Sequence, residues 1–178
     1  MYVTFSDART WFITAIDGLR VLEIAIYDTK SRPISQSTLE EIHGMSAQEW
    51  RNFLRQREEE HELFASLAVL ASFEGHIRRD FDLRSAPGSK MQFASLFSSV
   101  VGAGNVSLSN IFGAWERAVG NPHYLRPTLT SLRELYRDRN LMAHGKGRRG
   151  DFEFQPIYEK LETALAKWQQ LDSYFGRR

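Results

Sequence analysis

An arginine and a histidine stand five residues apart near the end of a predicted helix, in the stretch RDRNLMAHG (residues 137–145). The planar guanidinium of Arg139 can hold two phosphate oxygens at once, and an imidazole such as that of His144 exchanges protons near neutral pH. Five helical residues turn through roughly 500°, which leaves the two side chains about 140° apart. They can meet at one site only if the helix frays near Ala143, as Gly145 favours, or if two copies of the protein meet. A structural role for His144 also stays open, because a charged histidine stabilises a helix C-terminus.

Two charged residues occupy positions where the helical period calls for an apolar side chain. One predicted helix face has apolar residues at alternating intervals of four and three, namely Leu63, Leu67, Leu70, Ile77 and Phe81. Glu74 occupies the remaining position in this series. Arg139 takes the next place on the face formed by Leu129, Leu132 and Tyr136. Burying either charge alone is costly, so we expect the two to pair across a helical bundle. The pair is either an ion pair that fixes helix register without chemistry, or a device in which Glu74 holds Arg139 as a phosphate clamp.

Helical periodicity covers most of the chain, and no segment shows the alternation of a convincing strand. The segment DFEF (151–154) could pair as a short strand but is too brief to build a sheet. The sequence predicts one all-α domain over residues 1–178, an up-and-down bundle of four main helices with one or two short accessory helices. The predicted helices begin near residue 12 and end before 31–33, then cover 38–43, 47–83, 90–101, 108–119, 127–144 and 155–175.

Capping patterns support two of these helix starts. Ser37 with Glu40 is expected to open the short helix, and Ser46 with Glu49 to open the long one after Gly44.

Composition narrows the class of protein. Of the 178 residues, 42% are hydrophobic and 25% charged, which is typical of a globular domain and excludes a disordered chain. The chain has no cysteine, which excludes disulfides and thiolate zinc sites. We find neither a secretory signal nor an apolar run that could cross a bilayer. The sequence therefore predicts a soluble, cytoplasmic protein without membrane contact.

A basic loop follows the histidine and is a candidate phosphate-binding segment. It contains Lys146, Arg148 and Arg149, and such a loop can attract phosphate although the net charge of the chain is only +1. A simple solvated loop is an equally good explanation. Elsewhere, the pair His61-Glu62 lacks the second histidine of a zinc motif, and GSK at 88–90 lacks the glycine spacing of a phosphate-binding loop. We therefore predict neither a metal nor a cofactor.

The segment from Arg139 to Gly145, RNLMAHG, resembles the R-x(4–6)-H motif of HEPN domains. Asn140 matches the polar residue that commonly follows the arginine in that family. Glu74 lies in a long preceding helix, which is similar to the acidic position of several HEPN groups, the RiboL-PSP type among them. HEPN domains are all-helical and form dimers that bring two copies of the motif into one cleft. Many are metal-independent endoribonucleases of toxin–antitoxin and antiviral defence systems.

The resemblance implies a role for each residue of the motif. His144 would act as general base on the ribose 2′-OH or as acid toward the leaving 5′-oxygen, and Arg139 would stabilise charge on the phosphoryl group. Asn140 would orient His144 or the phosphate. RNA would be the substrate, the basic loop would hold its flanking phosphates, and a second copy of the chain would complete a C2 dimer. An antitoxin or another regulatory protein would be a further partner.

A second interpretation comes from a different class of function. The chain could be a non-catalytic HEPN-like module that binds RNA, a nucleotide or a partner protein. Arg139 and Glu74 would then serve the structure alone.

Overall fold

All the regular secondary structure in the described part of the chain is helical, as the sequence predicts. The computed structural model describes residues 4–27, 34–101, 106–121, 123–144, 152–173 and 175. Four long helices and three shorter ones form a helical bundle within these ranges, and none of them combines the length and apolarity required to cross a membrane. The helices are α1 (Phe5–Tyr27), α2 (Gln36–Ile42), α3 (Ala47–Ser85), α4 (Ala94–Ser98), α5 (Leu108–Val119), α6 (Leu125–Ala143) and α7 (Phe154–Leu171).

The two predicted helix starts differ in outcome. Ser46 caps α3 as predicted, since its side chain accepts from the Glu49 backbone N–H while the Glu49 carboxylate accepts from the Ser46 N–H. The predicted cap of α2 by Ser37 is wrong. Ser35 is the N-cap and accepts from the Thr38 N–H, so α2 begins two residues earlier than a start after Ser37. The predicted break at residues 31–33 lies outside the described part of the chain.

Other predicted boundaries need correction. The predicted helix over 90–101 shrinks to α4, because Phe93 adopts a left-handed φ of 65°, a conformation that cannot continue an α-helix. At the other end of the chain, α7 ends at Leu171, and Asp172 caps it by donating its N–H to the Trp168 carbonyl. The segment DFEF forms no strand in its described residues, 152–154. Phe152 is instead buried in the core.

The core is one continuous cluster of buried side chains from α1 and from α3 to α7, with α3 at its centre. Its largest members are aromatic, and several of their rings meet edge to face. The Trp115 ring of α5 lies 5.7 Å from the Trp168 ring of α7, at an interplanar angle of 86°. Phe175 stacks on Trp168 at 5.2 Å, so the chain remains packed beyond the end of α7. These contacts hold α5 and α7 together, and both helices contact α6.

A fully buried arginine stands at the end of α3. The Arg84 Nε donates to both carboxylate oxygens of Asp80 at 2.9 and 3.0 Å, and Nη2 pairs with Asp172 after α7. The Nη1 donates to the Gln92 carbonyl before α4 at 2.7 Å, and the guanidinium carbon lies 4.7 Å from the Trp115 ring centroid. Burial raises the pKa of Asp80, although Arg84 opposes this shift. One cation therefore joins four parts of the bundle.

We predict that Arg84→Met lowers the free energy of unfolding by about 3–5 kcal/mol, because it leaves the buried Asp80 carboxylate without its cation. Urea denaturation followed by circular dichroism measures the change. Arg20→Ala is the matched control, since Arg20 forms an exposed ion pair with Asp17 at 3.4 Å. It should change stability by about 0.5 kcal/mol or less. Equal, small effects of the two substitutions would contradict the assigned role of Arg84.

A second prediction concerns pH. The Arg79 Nη2 lies 3.0 Å from Nδ1 of the partly buried His76, and because arginine only donates, this Nδ1 accepts. Burial, and secondarily Arg79, lower the pKa of His76 from its usual 6.5. The unfolded chain therefore takes up this proton at a higher pH than the folded chain does. We expect the free energy of unfolding to fall as the pH drops below about 6.5, the ordinary pKa of histidine.

Denaturant titrations between neutral and mildly acidic pH test this expectation. His76→Gln keeps an acceptor for Arg79 but cannot titrate, so its stability should fall less over the same range. His144→Gln, which removes an exposed histidine, is the control for the loss of a histidine. If the stability of His76→Gln falls with decreasing pH as steeply as that of the wild type, groups other than His76 cause the loss of stability.

Candidate functional site

Glu74 and Arg139 meet across the bundle, as the sequence predicts. The Arg139 Nη2 of α6 lies 3.7 Å from Glu74 Oε2 of α3. The side chains are 29% and 18% exposed, so the pair lies at the edge of the core and is open to solvent on one side. The other carboxylate oxygen of Glu74 accepts from Arg78 Nε at 2.8 Å. One acid therefore holds two arginines, and Arg139 retains donors that another group can use.

A buried tyrosine places α6 against α3 close to this pair. The Tyr136 hydroxyl donates to the Leu70 carbonyl at 2.7 Å, one turn before Glu74 on α3 and about one turn before Arg139 on α6. Burial raises the pKa of Tyr136 well above its usual value, so the phenol remains a donor at any physiological pH. Because both atoms are buried, this bond sets the position from which Arg139 reaches Glu74.

His144 lies on another side of α6. Helical hydrogen bonding continues to this residue, whose N–H donates to the Asn140 carbonyl at 3.2 Å, so the expected fraying near Ala143 does not occur. The exposed His144 side chain lines the end of a groove of about 410 Å³ between α5 and α6. The residues that line this α5–α6 groove are Leu108, Ser109, Phe112, Arg133, Tyr136, Arg137, Asn140, Leu141 and His144.

Arg139 is absent from the lining of the α5–α6 groove. Within one protomer, therefore, the arginine and the histidine of the motif do not face the same space. Asn140 connects the two sides, since its Oδ1 accepts from Arg139 Nη1 at 3.1 Å while its side chain lines the groove. Lys146, Arg148 and Arg149, the predicted RNA-binding residues, lie outside the described residues.

Sequence reasoning missed two arginines of the groove. Arg133 is held by an ion pair with Glu116 of α5 at 2.9 Å and donates to the Ser109 carbonyl at 3.4 Å. Arg137 is 71% exposed, and its carboxylate contact is with the adjacent, exposed Asp138 at 3.4 Å. A periodicity signal was available: residues 133, 137, 140 and 144 follow one another by four, three and four, which places them on one face of α6.

The described residues contain no group of three side chains suited to hold a metal ion. What the arrangement offers is a set of hydrogen-bond donors, together with an exposed imidazole at the end of α6. Comparison with known proteins adds no identification: no protein-family model matches the chain, and no match was found among curated proteins or solved structures.

A double-mutant cycle tests the energetic link between Glu74 and Arg139. We expect a coupling of about 0.5–1 kcal/mol between Glu74→Ala and Arg139→Ala, because the pair is partly exposed. The control cycle combines Glu74→Ala with Arg137→Ala, whose side chains line different faces, and its coupling should stay within about 0.3 kcal/mol. If both cycles give the control value, the ion pair contributes nothing to stability.

Proposed function

We propose that this protein is a metal-independent endoribonuclease that acts as a homodimer. The observation that carries the proposal is the placement of Arg139 by Glu74, close to the end of a helix that terminates in an exposed histidine. The resemblance of residues 139–145 to the HEPN motif supplies the reaction class. A toxin or antiviral-defence role, with an antitoxin or regulatory partner, extends the same proposal.

The proposed reaction is an internal transfer at a phosphodiester. The ribose 2′-oxygen forms a bond to the adjacent phosphorus, and the bond between phosphorus and the 5′-oxygen breaks. The products are a 2′,3′-cyclic phosphate and a free 5′-hydroxyl. One His144 takes the proton from the 2′-OH, the partner's His144 supplies a proton to the leaving oxygen, and Arg139 stabilises the phosphoryl charge.

The geometry of α6 supports the dimeric form of this proposal. Arg139 and His144 face different sides of one helix, and the helix keeps its hydrogen bonding up to His144. In this conformation, one protomer therefore does not present both side chains to the α5–α6 groove. A symmetric pair of α6 ends supplies both residue types to a shared cleft, since a C2 axis brings the same patch of each copy together.

We predict that the purified protein cleaves RNA in the presence of EDTA and leaves 2′,3′-cyclic phosphate ends. His144→Ala should lower kcat by about 10²–10⁴-fold and Arg139→Ala by about 10²–10³-fold, while both stay folded by circular dichroism. Arg51→Ala is the control, because Arg51 is exposed on α3 and contacts Gln48. It should retain wild-type activity.

Dilution tests the dimer independently. Activity per protomer should fall when the concentration drops below the dissociation constant that sedimentation measures. If His144→Ala cleaves RNA as fast as the wild-type protein, His144 has no part in the mechanism. RNA binding without cleavage by the wild-type protein would favour the non-catalytic HEPN-like module, in which the Glu74–Arg139 pair serves the structure.

A further inference from the structure

We propose that the α5–α6 groove binds one unstacked nucleotide of a single-stranded RNA and leads the strand to His144. The inference rests on the proposed ribonuclease function, because it assigns the substrate subsite and substrate class of that site. Its basis is the second face of α6, where Arg133, Arg137, Asn140 and His144 follow one another at helical spacing. Asn140 and His144 belong to the HEPN-like motif, whereas Arg133 and Arg137 lie outside it.

The groove has the size and the apolar wall that a nucleobase requires. Its volume of about 410 Å³ falls within the range of small-ligand sites. Leu108 and Phe112 form the α5 side, and Leu141 forms part of the α6 side with 45% of its surface exposed. An exposed leucine beside a polar helix end leaves an apolar surface open to solvent. A flat base can cover this surface, as bases do on the stacking platforms of single-strand-binding proteins.

The polar lining of the groove favours an acceptor-rich ligand. The described lining residues include two arginines and a histidine, with no carboxylate among them. Glu116 and the Ser109 carbonyl fix Arg133 in place. The Arg139 Nη1 engages the Asn140 amide oxygen, which leaves the amide N–H donors for the groove. Arg137 remains extended into solvent, where its planar fork can meet two phosphate oxygens.

Spacing along α6 orders these contacts. From Arg137 to His144 the helix rises about 10 Å, at 1.5 Å per residue. A phosphate on Arg137 therefore lies a short distance along the strand from a phosphodiester at His144, and the base between them lies against Leu141. Duplex RNA does not satisfy this arrangement, because its bases are stacked and paired and cannot cover an apolar side chain.

Fluorescence anisotropy tests the inference with an oligonucleotide of about ten nucleotides, labelled with fluorescein and carrying 2′-fluoro sugars. These sugars lack the nucleophile, so wild-type protein can be titrated without cleavage. We expect Arg137→Ala to raise Kd about tenfold and to lower the dependence of log Kd on log salt by about 0.7, the value for one phosphate contact on a single strand. Leu141→Ser should raise Kd about fivefold while leaving the salt dependence unchanged.

Two controls match these substitutions in residue type and exposure. Arg51→Ala removes an exposed arginine of α3, and Val21→Ser removes an apolar side chain of α1 that is 56% exposed. Neither residue lines the groove, so both variants should bind with the wild-type Kd. The same strand annealed to its complement should bind at least tenfold more weakly than the single strand, and the difference should shrink in Leu141→Ser.

The outcomes separate this inference from the proposed function. If wild-type protein cleaves RNA but Arg137→Ala and Leu141→Ser bind and cleave like the controls, the groove is not the subsite and the ribonuclease proposal stands. Equal affinity for single strand and duplex overturns the single-strand assignment. If the wild type neither binds nor cleaves RNA, both proposals fail together.

Discussion

The burial of one arginine organises the bundle. A guanidinium cannot shed its charge, so Arg84 is tolerated in the core only because Asp80, Asp172 and the Gln92 carbonyl surround it. These partners belong to the end of α3, the residues after α7 and the segment before α4. The aromatic faces of Trp115 and Phe97 close the remaining sides at 4.7 and 5.8 Å. Meeting this electrostatic requirement fixes α3, α4, α5 and α7 relative to one another, and the groove and the motif then depend on where that frame holds α6.

Packed against these helices, α6 has two different polar faces. On the inward face, Leu129, Leu132 and Tyr136 are buried, and the tyrosine bond to Leu70 leads directly to the Glu74–Arg139 pair. On the outer face, α5 runs alongside and forms the α5–α6 groove. Polar groups on the inward side are largely engaged within the protein, whereas Arg137 and His144 extend toward solvent. Asn140 belongs to both environments, since its amide oxygen faces Arg139 and its side chain lines the groove.

Helical periodicity predicts which residues share one face of a helix, but it does not predict which helices lie next to one another. Glu74 and Arg139 each stand on an otherwise apolar helix face, where a buried charge needs a partner. Their contact was therefore predictable, because the two faces meet in the bundle. The same reasoning overlooked Arg84, because Asp80 and Arg84 stand four residues apart, like many solvent-exposed helix pairs. Their burial depends on Asp172, which lies 88 residues away from Arg84 in the chain. The groove was missed for a similar reason. Arg133 and Arg137 on one face of α6 look like part of a solvent-exposed face in the sequence, and only the position of α5 shows that they line a groove.

The same helix geometry constrains any catalytic interpretation. A net angle of about 140° between Arg139 and His144 is a property of an intact helix, and the hydrogen bond from the His144 N–H to the Asn140 carbonyl shows that the helix is intact there. Convergence of the two side chains on one phosphate thus requires either a second copy of α6 or the loss of this last turn. Loss of the turn would also move Asn140, whose amide Arg139 now engages. A second copy requires no such rearrangement, because both faces of α6 keep their contacts and the Arg139 of one copy can meet the His144 of the other. Under the proposed ribonuclease function, dimerisation is therefore the route that costs the fewest of the contacts seen in one protomer.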